Sequence, residues 1–279
     1  MTLHLHAAAL LGDMSPHTTA FFRQVLVTLT QAGIAFAVGG AFAQACLTGI
    51  LRPTRDLDLF MRRADWDRAR AVAQVAGWRA ELTYPHWLAK LHAGRDFVDL
   101  IFNSGNGLVP VDDRWFSGNL EADLLGSRVR IAKAEDSLLS KAFIMERERF
   151  DGADVAHLLQ AQADRVDWTS LVDRFGPHWR VLLAHLTLFG FIYPDERARV
   201  PAWVVRELAG RLDREAEADA AAPEHPRVCA GTLISRAQYL EDVQCRGYLD
   251  ARLLPGGSMR PEDVAAWTQA ISAQRPGGG

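Results

Sequence analysis

Val38-Gly39-Gly40-Ala41-Phe42 and, downstream of it, Arg52-Pro53-Thr54-Arg55-Asp56-Leu57-Asp58-Leu59-Phe60 are the stretches whose joint reading decides the fold. An apolar run, Ile34 to Val38, leads into the two glycines and predicts a strand. Helix-compatible residues follow from Ala41 to about Leu47 and close near Gly49. A second strand is expected over Leu57 to Met61, with two aspartates at alternate positions where it begins. Side chains alternate faces along a strand, so Asp56 and Asp58 share one face and Leu57 and Leu59 the other. Two carboxylates about 7 Å apart along a strand can hold two divalent ions about 3.5–4 Å apart. Paired glycines let a phosphate approach the backbone, and the start of the helix after them favours negative charge.

A third acid stands in Phe97-Val98-Asp99-Leu100-Ile101, a segment that otherwise reads as buried sheet. A carboxylate there is costly unless a metal or a cation compensates it. Singly, a Gly-Gly pair is more often a plain turn and an Asp-x-Asp a solvated strand edge. Here strand, Gly-Gly, helix, Asp-x-Asp strand and a later strand with one acid occur in that order, and the conjunction points to a metal and phosphate site.

The order resembles the nucleotidyltransferase superfamily that includes DNA polymerase β and the small bacterial nucleotidyltransferases. Gly39-Gly40, Asp56-x-Asp58 and Asp99 match its glycine turn and three acidic positions, and Arg52, Thr54, Asp56 and Asp58 reproduce the Arg-x-Thr-x-Asp-x-Asp run of one subgroup. The likeness runs from Ile34 to Leu159 and is loose outside the glycines and aspartates. It implies transfer of a nucleoside monophosphate from an NTP, ATP among them, to an acceptor hydroxyl with release of pyrophosphate. By the same resemblance, Asp56 and Asp58 would hold two Mg²⁺ ions and Gly39 and Gly40 would approach the triphosphate. Asp99 would hold the catalytic metal and take the acceptor's proton. Arg52 and Thr54 would contact phosphate or brace the carboxylates, although Arg52 reads equally as a surface ion pair. Lys141 matches a lysine of small bacterial members. It would reach the β- or γ-phosphate, or else rest at the rim of an apolar stripe. Arg147, Arg149, Asp151 and Asp154 resemble the same subgroup, and helix capping explains the two aspartates as well. The acceptor stays open between tRNA, a partner protein and a small molecule such as an aminoglycoside. Relatives in toxin–antitoxin and phage-defence loci make such a role conceivable. The competing reading is a catalytically idle nucleotide-binding or interaction module on the same fold.

Composition narrows the class. The chain has 279 residues, 49% hydrophobic and 23% charged, enough for a sizeable core. A net charge of −3 excludes a global basic field for nucleic acid, though not a local patch or the end of a tRNA. Three widely spaced cysteines fit neither a disulfide framework nor a zinc ribbon, and they suit a reducing cytoplasm. No basic leader and no membrane-length apolar run is visible.

The expected fold class is α+β: a small mixed β-sheet core over residues 1–135 with helices on one side, a mostly α-helical region over 136–274, and a disordered tail over 275–279. An amphipathic helix is predicted over Thr18 to Ala32, and a second begins at Asp65, read as its cap. Strands are predicted at Trp78–Thr83, Trp87–His92 and Phe97–Phe102. Residues 108–127 read as irregular, a lid or a short helix, and Arg128 to Ile131 as an edge strand. After Asp136, helices are expected at 168–175, 178–190 and 201–216, then a linker to residue 226. Ser235 and Gln238 read as a capping box for a helix to about Arg246. His178 and His185 read as packing or surface residues, and Arg227, Arg236 and Arg246 as a solvated face.

Overall fold

The computed structural model describes residues 3–4, 14–219, 226–255 and 257–274. It divides into two compact units, Met1–Ser137 and Leu138–Gly279.

The first unit is a mixed sheet of eight strands. At its centre β2 (Phe36–Val38) lies antiparallel to β3 (Asp58–Met61), and β3 lies parallel to β6 (Asp96–Ile101). From β6 the sheet continues through β5 (Leu88–Ala93) to β4 (Arg79–Tyr84), both joints antiparallel. On the far side of β2 come β8 (Ser127–Ile131), β7 (Leu120–Leu124) and the two-residue β1 (Leu3–His4). Leu57, Leu59, Val98 and Leu100 are all 0% exposed, which is why β3 and β6 take the middle. The outermost strand on one side, β4, carries an exposed Arg79 and a register shift between Glu81 and Tyr84.

Helix α1 (Pro16–Gln31) buries Phe21, Phe22, Val25, Leu26 and Leu29 against β6 and β8. It starts two residues before the predicted Thr18, because the Ser15 hydroxyl accepts the Thr18 N–H at 3.1 Å and Pro16 suits a first helical position. Helix α2 (Gly40–Thr48) follows β2, and α3 (Trp66–Val75) packs on α1 and β4.

Several expectations need correction here. Asp65 precedes α3 but caps nothing: its carboxylate accepts from Arg62 Nε at 2.8 Å and Arg68 at 3.2 Å. Residues 108–127 contain a 3-10 turn, Asp113–Phe116, and the strand β7. Arg128 to Ile131 is no edge, since β8 lies between β7 and β2. The β7–β8 turn, Leu125-Gly126, has φ of 56° and 75°, the type I′ pattern in which an asparagine is the usual first residue. Leucine there hides the hairpin from a search for turn residues.

In the second unit, α4 (Ala134–Ala142, entered from the first unit) carries an apolar stripe: Leu138, Leu139 and Ala142, with Phe143 just beyond, are all buried. Helix α7 (Trp179–Ile192) packs against α5 (Gly152–Gln162), α6 (Trp168–Phe175) and α8 (Ala202–Asp219). Leu158, Leu171, Phe175, Phe189, Val204 and Leu208 fill this core. Asp167 caps α6 by accepting the Ser170 N–H at 3.0 Å. His185 is a packing residue: its Nε2 donates to the Ala142 carbonyl at 2.8 Å and its ring stacks on Phe150. Ser235 accepts the Gln238 N–H at 3.2 Å as expected, but the helix beyond, α9 (Leu240–Gln244), begins later and ends earlier than predicted. The Ser235 hydroxyl also donates to Glu146 at 2.6 Å, so the turn is pinned to a distant carboxylate instead of opening a helix. A short parallel pair, β9 (Val228–Cys229) and β10 (Leu249–Asp250), and α10 (Pro261–Gln274) complete the unit. Arg227 lies over Tyr248 and Arg236 over Trp267. The expected tail, 275–279, and most of the expected linker fall outside the described residues. Among the described residues, no helix is long and apolar enough to cross a membrane.

Candidate active site

The sheet brings the three predicted aspartates together. Asp58 and Asp99 are register partners on β3 and β6, and Asp56 keeps the parity of Asp58 from just before the strand. One carboxylate oxygen from each lies within 4.8 Å of the others, and all three side chains are half-buried. Among the described residues this is the sole group of acids, histidines or cysteines so arranged. The leucines between them, Leu57 and Leu59, point into the core.

Local backbone geometry holds the cluster against the glycine turn. The Gly39 N–H donates to the Asp58 carbonyl and the Asp99 N–H to the Leu57 carbonyl, each at 2.9 Å. Gly40 adopts φ of 54°, and a Cβ there would lie 1.9 Å from Asp58 Oδ2. A Cβ on Gly39 would strike Phe60 at 2.1 Å, and Phe60 is stacked on the buried Trp115. Both glycines are therefore dictated by close packing as well as by any ligand. Helix α2 starts at Gly40, so the turn also presents a helix N-terminus beside the carboxylates.

The neighbours tune the charges. Thr54 Oγ1 donates to Asp56 Oδ1 at 2.5 Å and so braces that carboxylate. Arg52 is exposed on the same loop. Burial raises the Asp99 carboxyl above its ordinary range; Lys90 pulls it back, and the nearby Asp56 charge adds to the rise. Lys90 Nζ donates to Asp99 Oδ1 at 2.5 Å. The sequence demanded a metal or a cation for Asp99 without singling out Lys90. Its signal was the tight Gly94-Arg95 turn: pairing Ala93 with Asp96 places Lys90 opposite Asp99.

Lys141 belongs to the second unit. There its ammonium donates to Asp154 at 2.7 Å and to Asp151 at 3.2 Å, and Arg149 also holds Asp151. Asp151 stands before α5 without capping it. Burial raises the Asp151 carboxyl, yet Arg149 and Lys141 together hold it below its ordinary value.

Residues 19–181 match a protein family described as uncharacterised nucleotidyltransferase, a span that runs from α1 into α7 and includes the whole acidic cluster. The chain belongs to that family. No curated protein matches the sequence of this nucleotidyltransferase. Among solved structures, the antibiotic-resistance factor ANT(2'')-Ia is 17% identical, with 74% of this chain and 97% of that one covered at a TM-score of 0.36. The lincosamide antibiotic adenylyltransferase LnuA, solved with lincomycin, is 15% identical over 53% of this chain and 98% of its own, at 0.37. A Helicobacter pylori protein is 12% identical over 76% and 98%, at 0.33. The family membership rests on the sequence match alone.

Proposed function

We propose that this nucleotidyltransferase transfers a nucleoside monophosphate from an NTP to an acceptor hydroxyl, with Asp56, Asp58 and Asp99 as its metal-holding residues and with release of pyrophosphate. The observation that carries the reading is the convergence of the three carboxylates within 4.8 Å beside the Gly39-Gly40 turn. Their donor set fits the implied ion: clustered carboxylate oxygens suit Mg²⁺, which favours hard oxygen ligands. Bound there, Mg²⁺ supplies charge neutralisation for the triphosphate and acidifies the acceptor hydroxyl.

The chain's own residues do the rest. Asp56, braced by Thr54, and Asp58, pressed against Gly40, keep their oxygens fixed before any ligand arrives, which limits reorganisation during transfer. Asp99, register partner of Asp58 across β3 and β6, takes the acceptor's proton. The turn and the first residues of α2 receive phosphate oxygens. Arg52, exposed at the mouth of the same loop, meets the triphosphate. We place the enzyme in a reducing, cytoplasmic setting, because Cys46, Cys229 and Cys245 are free thiols.

The test is a thermal-shift panel of ATP, GTP, CTP and UTP, each with and without Mg²⁺, on wild type and Asp56→Asn. A ligand at about 100 times its Kd stabilises by about 2.7 kcal/mol. Magnesium-dependent stabilisation by one NTP, lost in the variant, is the expected result. It names the nucleotide to label for transfer to tRNA, protein and aminoglycoside acceptors. No shift with any of the four, with or without acceptor present, would favour the reading as an interaction module that binds no nucleotide.

A further inference from the structure

Strand register sets Glu81, Lys90, Asp99 and Asp58 side by side across β4, β5, β6 and β3. Register partners share a face of the sheet, so this row reads acid, base, acid, acid. Glu81 is already held by Arg79 at 2.6 Å, with His92 at 3.3 Å. The Lys90 ammonium turns instead to Asp99, and it lies 4.0 Å from the centre of the Phe97 ring. With side chains only 22% and 15% exposed, Lys90 and Asp99 form a sheltered pair whose attraction bulk water screens weakly. The acidic cluster therefore contains a fixed positive charge of its own.

Building on the reading above, we propose that Lys90 is the resident counter-cation of the cluster, a positioning residue that fixes Asp99 by one oxygen and sets how strongly the site takes a bare divalent ion. An ion approaching Asp99 meets the ammonium and is disfavoured. An ion already carrying a triphosphate brings negative charge with it and meets no such penalty. Lys90 thus biases the site toward a metal delivered with nucleotide.

The experiment titrates Mn²⁺ alone into the full chain by calorimetry, with the paramagnetic resonance of free Mn²⁺ as a second readout and circular dichroism to check folding. Lys90→Met is expected to bind about tenfold more tightly than wild type, from loss of a nearby like charge, while Lys90→Arg stays near wild type. Should Lys90→Met not fold, Lys90→Gln makes the same comparison. Equal or weaker binding by a folded neutral variant overturns the inference. Asp58→Asn separates the two failures: if it binds Mn²⁺ as wild type does, or if wild type and the neutral variants bind none, the metal-site reading itself falls and the inference falls with it.

Discussion

Three carboxylates held within 4.8 Å repel one another, and that repulsion is built into the fold at Asp58. Asp58→Asn should abolish nucleotidyl transfer while leaving the melting temperature unchanged or higher. Unfolding of the variant would make Asp58 a structural residue and remove it from the site. Gly40 tests the same contact from the other side. Gly40→Ala forces a left-handed φ on alanine, costing about 1–2 kcal/mol, and also drives a Cβ into the Asp58 carboxylate. Gly49→Ala is the matched control, with φ of 76° and open space around it. Both variants should lower the urea midpoint, Gly40→Ala by more, and only Gly40→Ala should lower transfer in a single-turnover assay.

At the scale of elements, the β7–β8 hairpin has an unfavourable first turn residue, since Leu125 takes φ of 56° where asparagine is at ease. Leu125→Asn should raise stability by about 0.5–1 kcal/mol, read as a higher denaturation midpoint with an unchanged slope. The same leucine shows why part of the sheet was illegible. Elements announced by local chemistry came through: α1 from its apolar spacing and β3 from the alternation of Leu57 and Leu59 with the aspartates. Elements that depend on distant partners did not. The place of β8 inside the sheet is set by pairing with β2 across the chain, and the cap at Asp65 lost its carboxylate to Arg62 and Arg68. The candidate site divides the same way. The convergence of Asp56, Asp58 and Asp99 follows from strand parity plus one parallel pairing, whereas the approach of Lys90 needs the register of a hairpin.

For the whole molecule, burial sets how stability responds to acid. Burial holds the His185 imidazole below its ordinary value of 6.5, although its bond to the Ala142 carbonyl opposes the shift. The unfolded chain therefore protonates first as pH falls, and the stability His185 contributes is present above about 6.5 and lost as pH drops through its lower folded value. The melting temperature should therefore fall as pH drops below about 6.5. His185→Gln, which can still donate to Ala142, should flatten that fall; an unchanged slope would assign it to other groups. Asp151 and Asp250 act in a lower window. Burial raises each, but Arg149 and Lys141 outweigh it at Asp151 and Arg252 does so at Asp250, so their contributions vanish only below the ordinary carboxylate range.

The outer strand β4 has a further consequence. An open sheet ends in a row of backbone donors and acceptors that another chain can template on. Here that margin bears the charged pair Arg79–Glu81, and its ladder shifts register before Tyr84. A second molecule laid along it would find a broken hydrogen-bond rhythm and an ion pair to desolvate. Charge and an irregular ladder are features that blunt such templating, and both lie on the strand whose Glu81 stands at the head of the charge row.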